Sequence, residues 1–401
     1  MKIRLGVFFG GKSVEHEISI ISAIQAIESM DKDKYDIFPI YITKENIMYA
    51  GENIGNIDSY KDIPELLKNS KKIILVKNGD HVDLVTYPAK KFRKNIYAHI
   101  DVAFPIVHGT NVEDGTIQGM LKMLDIPYVG CDLTSSAIGM DKYIMKTVLK
   151  ENGIPVLEAI TCHNKQYIED KNTIMAQIEE TFQYPVIIKP INLGSSVGIK
   201  IARNRVALEE ALEYAFTFSS KVLVERAVVN IKEINVSVLG DYEEARASVC
   251  ERPINKDEIL SYEDKYLSGG SKKYDADTNQ EKANAGMASL DREIPAKISE
   301  EMKLKIENLA IKTFKVLNCN GVSRIDLIID EDIGEVFVNE INTIPGSLSF
   351  YLWEPAGIKY KELLDEMINL AFKRKREEEE ITFSFDTNIL QNAKIGGKKG
   401  K

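Results

Sequence analysis

Cysteine is scarce in this sequence. Cys131, Cys162, Cys250 and Cys319 are the only four in 401 residues, and no two form a C-x-x-C pair. That spacing excludes a thiolate zinc site and a disulfide scaffold, and it predicts free thiols in a reducing compartment. No apolar run approaches the roughly 18 residues of a membrane span. The opening M-K-I-R-L-G-V-F-F-G-G starts like a signal peptide, but its apolar run stops at Gly10-Gly11. A cytoplasmic protein without a membrane partner is expected. Positive charge is also short. The formal net charge of -9 argues against a nucleic-acid partner, and any polyanionic ligand would need a locally positive pocket. G-x-G-x-x-G and internal repeats are absent, and the Gly-rich stretch 194–198 does not fit G-x-x-x-x-G-K-[ST].

With 401 residues and 44% apolar content, the chain is globular but too long for one ordinary core, so two or three domains are expected. Its organising stretch is 322–346: V-S-R-I-D-L-I-I-D, a polar turn with Gly334, then E-V-F-V-N-E-I-N-T-I-P-G. This pattern predicts a β-hairpin. Glu340 and Asn342 are two apart and leave the same face of a strand. Asp326 would meet them from the partner strand, with Arg324 on its own face. Oxygen ligands beside a cation describe a hard-metal site that also handles phosphate or carboxylate; the competing reading is a solvated hairpin face.

At the start of the chain, Ile3, Leu5, Val7 and Phe9 predict a strand. Gly10-Gly11 turns the chain, and Ile18, Ile21, Ile24 and Ile27 predict a helix over 13–30 with Ser13 as its N-cap. Strand, glycine turn and helix open an α/β unit, continued by a strand over 35–43. Glu15 would repel a pyrophosphate here. It suits a ligand's ammonium group, or it is an ordinary first-turn helix acid. Residues 50–100 predict a helix over 63–67, a strand over 72–76 and polar loops. A later strand ends at Val107. His108-Gly109 then opens a loop at its carboxyl end, where open sheets place ligands, and Glu113-Asp114-Gly115 leads into a helix near Thr116. A short strand is expected over 126–129.

A helix from 134 to about 153 carries Lys142 early, at a position that faces solvent in most proteins. The strand 186–188 delivers Lys189, followed by Gly194-Ser195-Ser196-Val197-Gly198 and another strand. Glycines, the hydroxyls of Ser195 and Ser196, and backbone N–H groups make a cover for phosphates with a lysine at its base. Glu225 ends the strand 222–225 and is a candidate for an adenine amino group. Glu233, before the strand 234–239, is a candidate for ribose hydroxyls. Residues 261–274 read as a lid whose functional candidates are Tyr262, Lys265 and Tyr266. A helix with Ile298, Met302, Ile306, Leu309 and Phe314 returns the chain to the hairpin. After Phe372 the chain becomes charged. Ile381, Phe383 and Phe385 alternate as in a short docked strand, and the final ten or so residues read as disordered.

Six motifs in order carry a resemblance: F-G-G-K-S-V-E-H-E-I-S, H-G-T-N-V-E-D-G-T-I-Q-G, M-D-K, K-P-I-N-L-G-S-S-V-G-I, Y-E-D-K-Y and R-I-D…N-E-I-N-T-I-P-G. Over about residues 1–370 the chain resembles the D-alanine–D-alanine ligase family of the ATP-grasp superfamily. The resemblance implies an α/β protein with an open parallel-sheet, Rossmann-like substrate domain (1–130). A central ATP-grasp lobe (131–225) and a C-terminal lobe (226–372) would hold the nucleotide between them, and 373–401 would form a charged, partly disordered tail. It implies ATP-dependent joining of two D-alanines through D-alanyl phosphate, for peptidoglycan precursor synthesis. Lys142, Lys189, Ser195 and Ser196 would contact phosphates, Glu225 the adenine and Glu233 the ribose. Asp326, Glu340 and Asn342 would hold two Mg2+ ions, with Mn2+ able to substitute. Glu15 resembles the acid that binds the first substrate's ammonium, with His108 beside the same subsite. Arg324 and the backbone at Gly346 would stabilise the oxyanion and acyl phosphate. Ser195 would link Glu15 to Tyr266, and Lys265 would approach the second carboxylate or the phosphates.

Tyr266 favours D-alanine over D-lactate as second substrate; a D-alanine–D-serine ligase is the alternative. The chain departs from the common family pattern after Gly346. Tyr351 falls where a carboxylate-binding serine is usual, leaving Tyr351 or Ser349 for that task. A homodimer is expected from the family. Another ATP-grasp carboxylate–amine ligase and a nucleotide-binding regulator without turnover are the remaining alternatives.

Overall fold

Alternating apolar residues form β1 (Ile3–Gly10), in which Leu5, Val7, Phe8 and Phe9 are fully buried. The computed structural model to which this strand belongs describes residues 2–92, 94–254 and 292–384. Helix α1 (His16–Ser29) carries the chain back, so β2 (Tyr35–Ile42) lies parallel to β1. β3 (Met48–Ala50), α2 (Ile63–Lys68), β4 (Lys71–Asn78), β5 (His81–Thr86) and β6 (Ile96–Ile100) follow, the strands pairing as an antiparallel meander. β7 (Val102–Pro105) returns to the far side of β1, parallel to it, ahead of α3 (Thr116–Met123). The sheet order is β6-β5-β4-β3-β2-β1-β7. The open parallel sheet expected from the sequence is therefore confined to β2-β1-β7. The strand expected over 72–76 is β4, whereas β3, β5 and β6 fall where polar loops were expected, each only three to six residues long and too short for a clear alternation. The strand expected over 126–129 is a single bridge, Ala103 to Tyr128.

The single helix expected from 134 to 153 is two: α4 (Leu133–Met140) and α5 (Lys142–Glu151). Asp141 breaks it. Its backbone is extended, and its carboxylate accepts the N–H groups of Tyr143 (3.0 Å) and Ile144 (2.9 Å). The break puts Lys142 in a first turn, where its N–H donates to Ile191 O at 3.1 Å and its side chain is buried instead of solvated.

β8 (Ala159–His163), α6 (Asn164–Glu169), α7 (Lys171–Thr181), β9 (Val186–Pro190), β10 (Lys200–Ala202), α8 (Arg205–Phe216) and β11 (Lys221–Arg226) build the second sheet, antiparallel in the order β10-β9-β11-β8. The third sheet comes from β12 (Ile231–Gly240), β13 (Ala245–Pro253), β14 (Arg292–Glu293), β15 (Gly321–Asp330) and β16 (Glu335–Asn342), ordered β14-β13-β12-β15-β16. Between β14 and β15 runs α9 (Glu300–Val316), whose Ile306, Ala310 and Phe314 pack with Ile234, Val236, Ile325 and Leu327 of that sheet. Strand alternation therefore turns Asn235 and Asp326 to the other face.

α10 (Phe350–Trp353) and α11 (Tyr360–Glu379) complete the described chain. Leu363, Leu364, Met367 and Ile368 of α11 join the buried cluster of the N-terminal sheet. The tail boundary expected at 373 falls inside this helix. Its basic run is not a free tail, because Lys373 Nζ donates to Asp241 (2.7 Å) and Arg374 to Gly130 O (2.7 Å). Ile381 and Phe383 are exposed and form no strand; Phe385 and the rest of the expected tail lie outside the described residues, as do Tyr262, Lys265 and Tyr266. All four cysteines are free and buried. No helix among the described residues is long and apolar enough to cross a membrane.

Candidate active site

Pairing of β1 with β7 sets their carboxyl ends side by side, with Phe8 opposite Pro105. Ser19 fastens them: Gly10 N–H donates to its Oγ, which donates to Ile106 O, both at 2.7 Å. The loops beyond these ends converge on Glu15. Glu15 itself occupies the N-cap position of α1; Ser13, expected there, instead accepts the Glu15 N–H at 3.1 Å. Ser195 Oγ, from the loop between β9 and β10, donates to Glu15 Oε1. Two glycines allow this approach. A Cβ at Gly194 would lie 2.9 Å from Glu15 Oε2, and one at Gly109 (φ +82) 2.8 Å.

His108 is 3% exposed, and the protein uses both ring nitrogens. Nδ1 lies 2.9 Å from Ile344 O and Nε2 2.9 Å from Ser22 Oγ, which also accepts the Ser347 N–H at 2.9 Å. A carbonyl only accepts, so Nδ1 carries the proton and Nε2 accepts from the Ser22 hydroxyl. Burial holds the imidazole neutral, with its pKa lowered to about 4. His108 thus ties the 344–347 loop to α1 through both ring nitrogens. Glu113 makes a parallel tie that sequence reasoning missed. Its oxygens accept the N–H groups of Gly109 and Ile344, both at 2.9 Å, and the Thr343 hydroxyl at 3.2 Å. Burial pushes its carboxyl up to about 7, with the Glu15 charge adding to the effect. Its sequence signal was an acid before a helix, which is ordinary.

The low His108 value has a measurable sign. Between about pH 4 and the ordinary pH 6.5, the unfolded chain binds a proton that the folded imidazole refuses, so this contribution to stability rises with pH. The fall in Tm caused by His108→Gln is expected to be larger at pH 7 than at pH 4.5. Equal falls at both would contradict this reading.

Three buried lysines line the cleft between the second and third sheets. Lys142 Nζ donates to Leu193 O (2.8 Å) and lies 3.3 Å from Glu340 Oε2. Lys189 Nζ donates to Glu225 Oε1 and to Asn339 Oδ1 (3.1 Å), while Lys146 Nζ lies 2.8 Å from Glu225 Oε2. Burial would raise the Glu225 carboxyl, but Lys189 and Lys146 more than offset it and hold it at about 2. Three ammonium groups face two carboxylates here, which makes the locally positive pocket that an acidic chain needs for a polyanion. Lys146 was missed in the sequence, although its place four residues after Lys142 on one helix face was a signal for it. Glu225, expected at an adenine amino group, is wholly buried and has both oxygens on lysines. Glu233 is half-buried on β12, opposite Ile328. Ser195 and Ser196 adopt left-handed backbone (φ 54 and 59) in the covering loop.

The β15–β16 ladder sets Asp326 against Glu340 and Arg324 against Asn342. Arg324 grips Asp326 in a fork, Nε to Oδ1 and Nη2 to Oδ2, both 2.7 Å, and Asn342 Nδ2 donates to Asp326 Oδ2 at 3.1 Å. Burial raises the Asp326 carboxyl against the pull of Arg324, and the neighbouring charges of Glu340 and Glu251 add to the rise. Such a crowd of acids favours a further cation. Beyond Gly346, the non-glycine residues Ser347, Leu348 and Ser349 form a left-handed turn at φ 51, 50 and 51. L-residues avoid that region, at a cost of roughly 1–2 kcal/mol each, and such strain collects at functional sites. The Oγ atoms of Ser347 and Ser349 are buried without a hydrogen-bond partner among the described residues. Tyr351 OH, by contrast, donates to Glu251 Oε1 at 3.4 Å, and Arg292 stacks on its ring at 4.2 Å. Glu251 and Arg292 were not read from the sequence, since neither stands in a motif.

Family models match both parts of the chain: D-ala D-ala ligase N-terminus over residues 4–131 and D-ala D-ala ligase C-terminus over residues 148–369. A D-alanine–D-alanine ligase of Thermosipho melanesiensis is 39% identical over 396 residues, covering 98% of this chain and 99% of that protein. A solved D-Ala:D-Ser ligase from Enterococcus faecalis is 29% identical with a TM-score of 0.73, covering 92% of this chain and 100% of its own. A D-alanine–D-alanine ligase from Bacillus anthracis, solved in complex with ATP, is 25% identical with a TM-score of 0.63, covering 94% and 99%. Three sheets in this arrangement, with matches along nearly the whole length, place the chain in the D-alanine–D-alanine ligase family of ATP-grasp enzymes.

Proposed function

We propose that the protein joins two D-alanines at the expense of ATP, giving D-alanyl-D-alanine, ADP and phosphate as a cytoplasmic step of peptidoglycan precursor synthesis. The contact between Glu15 and Ser195 carries this reading. It brings an acid suited to a substrate ammonium against the loop suited to cover phosphates, so the substrate's carboxylate comes to lie beside the phosphate to be transferred. ATP occupies the cleft between the second and third sheets. Lys142 and Lys189 leave their present partners for its phosphates, and Ser195 and Ser196 with the loop N–H groups cover them. As Lys189 moves, Glu225 Oε1 becomes available to the adenine amino group, while Lys146 keeps the carboxylate charged; Glu233 takes the ribose. The donor set of Asp326, Glu340 and Asn342 is all oxygen and fits Mg2+ or Mn2+. Bound there, such ions would neutralise phosphate charge.

An oxygen of the first carboxylate attacks the γ-phosphorus, and the bond to ADP breaks, leaving D-alanyl phosphate. The amine of the second D-alanine then attacks the carbonyl carbon. It loses its extra proton, the C–O bond to phosphate breaks, and the dipeptide remains. Arg324 and the Gly346 N–H stabilise the oxyanion of the tetrahedral stage. Of the two acceptor-carboxylate candidates, Ser349 fits better, because its buried hydroxyl has no partner among the described residues while that of Tyr351 faces Glu251. Lys265 and Tyr266 belong to this reading through the family pattern, as does a homodimer. The three lobes proposed are 1–130, 131–225 and 226–372, with α11 closing the first from the end of the chain.

No observation favours D-serine as the second substrate. Product identification after incubation with ATP, Mg2+ and D-alanine, alone and mixed with D-serine, tests this. D-alanyl-D-alanine is expected to dominate both reactions; D-alanyl-D-serine dominating the mixture would overturn the choice of acceptor.

A further inference from the structure

The proposed reaction leaves a second convergence of ligand atoms unused. His81 and Asp83 are two apart on one face of β5, and the ladder sets His99 of β6 directly opposite Asp83. Asp83 Oδ1 lies 3.2 Å from His81 Nε2 and 2.5 Å from His99 Nδ1. All three donor atoms lie within 4.8 Å of one another. The two imidazoles stand edge to face with centroids 4.9 Å apart. Asp83 is 4% exposed, and its other oxygen accepts from Asn78 Nδ2 at 3.0 Å. Asn78 therefore fixes the carboxylate with Oδ1 toward the histidines.

His81 Nε2 decides between two accounts of this cluster. It is a buried nitrogen beside a carboxylate oxygen, yet it makes no hydrogen bond among the described residues. A His–Asp–His hydrogen-bond relay would use that nitrogen. A shared metal ion would use its lone pair, with no hydrogen bond to Asp83 required. Ligands of a tetrahedral ion at about 2.0–2.1 Å stand about 3.3 Å apart. His81 Nε2 is at 3.2 Å from Asp83 Oδ1, and His99 Nδ1, at 2.5 Å, must give up its hydrogen-bonded proton and move out to that spacing. The nearby Arg4 and Asp101 pair with each other, Nε to Oδ2 at 3.0 Å, so neither occupies Asp83. Two imidazoles with one carboxylate suit zinc and its neighbours, unlike the oxygen-only set around Asp326.

We propose that His81, Asp83 and His99 bind one divalent transition-metal ion of the zinc class, which pins the β5–β6 pair. Water completes the tetrahedron, and the His99 proton moves from Nδ1 to Nε2 as Nδ1 becomes a ligand. Asn78 is a positioning residue for Asp83.

The test uses the full chain, stripped with chelator and titrated with ZnCl2 by calorimetry, alongside His81→Ala, His99→Ala and Asn78→Ala. One equivalent is expected to bind the unsubstituted protein and raise its Tm. Each histidine variant should bind at least about tenfold more weakly and lose the Zn2+-dependent rise, and Asn78→Ala should weaken binding by about tenfold. Mg2+-dependent dipeptide formation in zinc-free buffer should be unchanged in all three. Absence of one-equivalent binding, or binding that survives both histidine substitutions, would overturn the proposal. His81→Ala removes no hydrogen bond of Nε2, so it keeps the test open if His99→Ala fails to fold.

Discussion

Glu340→Gln is expected to lower kcat for dipeptide formation by at least about 10²–10³-fold while leaving the fold intact. Glu340 supplies one of two opposed carboxylates in the oxygen donor set, and it also lies 3.3 Å from Lys142. The amide keeps the shape and one oxygen but removes the charge that holds a divalent ion against the phosphates. Stability should change little. The Glu340 side chain is 24% exposed, and Lys142 keeps its bond to Leu193 O. Steady-state turnover against Mg2+ concentration, with circular dichroism as a fold control, checks this. Near-normal turnover at low Mg2+ would remove Glu340 from the metal site.

Arg324→Met is expected to damage both stability and turnover. Arg324 and Asp326 form a buried, two-bond ion pair, and removing the cation leaves a carboxylate buried beside Glu340 and Glu251. Breaking such a pair from one side costs roughly 3–5 kcal/mol. Turnover should fall by a further factor of about 10²–10³, since the guanidinium is assigned to the oxyanion. The double variant with Asp326→Asn separates the two effects. It should recover most of the lost stability, because no unpaired charge remains, and none of the turnover. Denaturant unfolding and dipeptide assays on the three variants provide the check. A double variant as unstable as Arg324→Met would show that the pair is not the source of the loss.

The organising hairpin was legible because its signals agreed at every level. A β-branched run, a turn glycine and acids spaced by two fix the strands, their faces and the Asp326–Glu340 pairing. The loop after β9 was legible for similar reasons, as was α9 from the helical spacing of Met302, Ile306, Leu309 and Phe314. Other elements were not. β4 matches the strand read over 72–76, but β3, β5 and β6 read as polar loops, being only three to six residues long and too short for a clear alternation. The Asp141 break hid inside an apolar helical pattern and shows only through its capping bonds. His108 was singled out at a strand end, but the contacts its ring makes were not foreseen. Its partners, Ser22 and Ile344, are 86 and 236 positions away, and no local pattern reports such contacts. The same distance in sequence concealed Glu113, which reaches Ile344, and Arg292, which reaches Glu251.

The measurement that tests the central claim most directly is the fate of oxygen-18 from D-alanine labelled in both carboxylate oxygens, with ATP and Mg2+. If the first carboxylate takes the γ-phosphoryl group and the second amine expels it, each dipeptide formed is matched by one ADP and one phosphate carrying a single heavy oxygen. Label in AMP with release of pyrophosphate, or ATP turnover without D-alanyl-D-alanine, would contradict the account of this site.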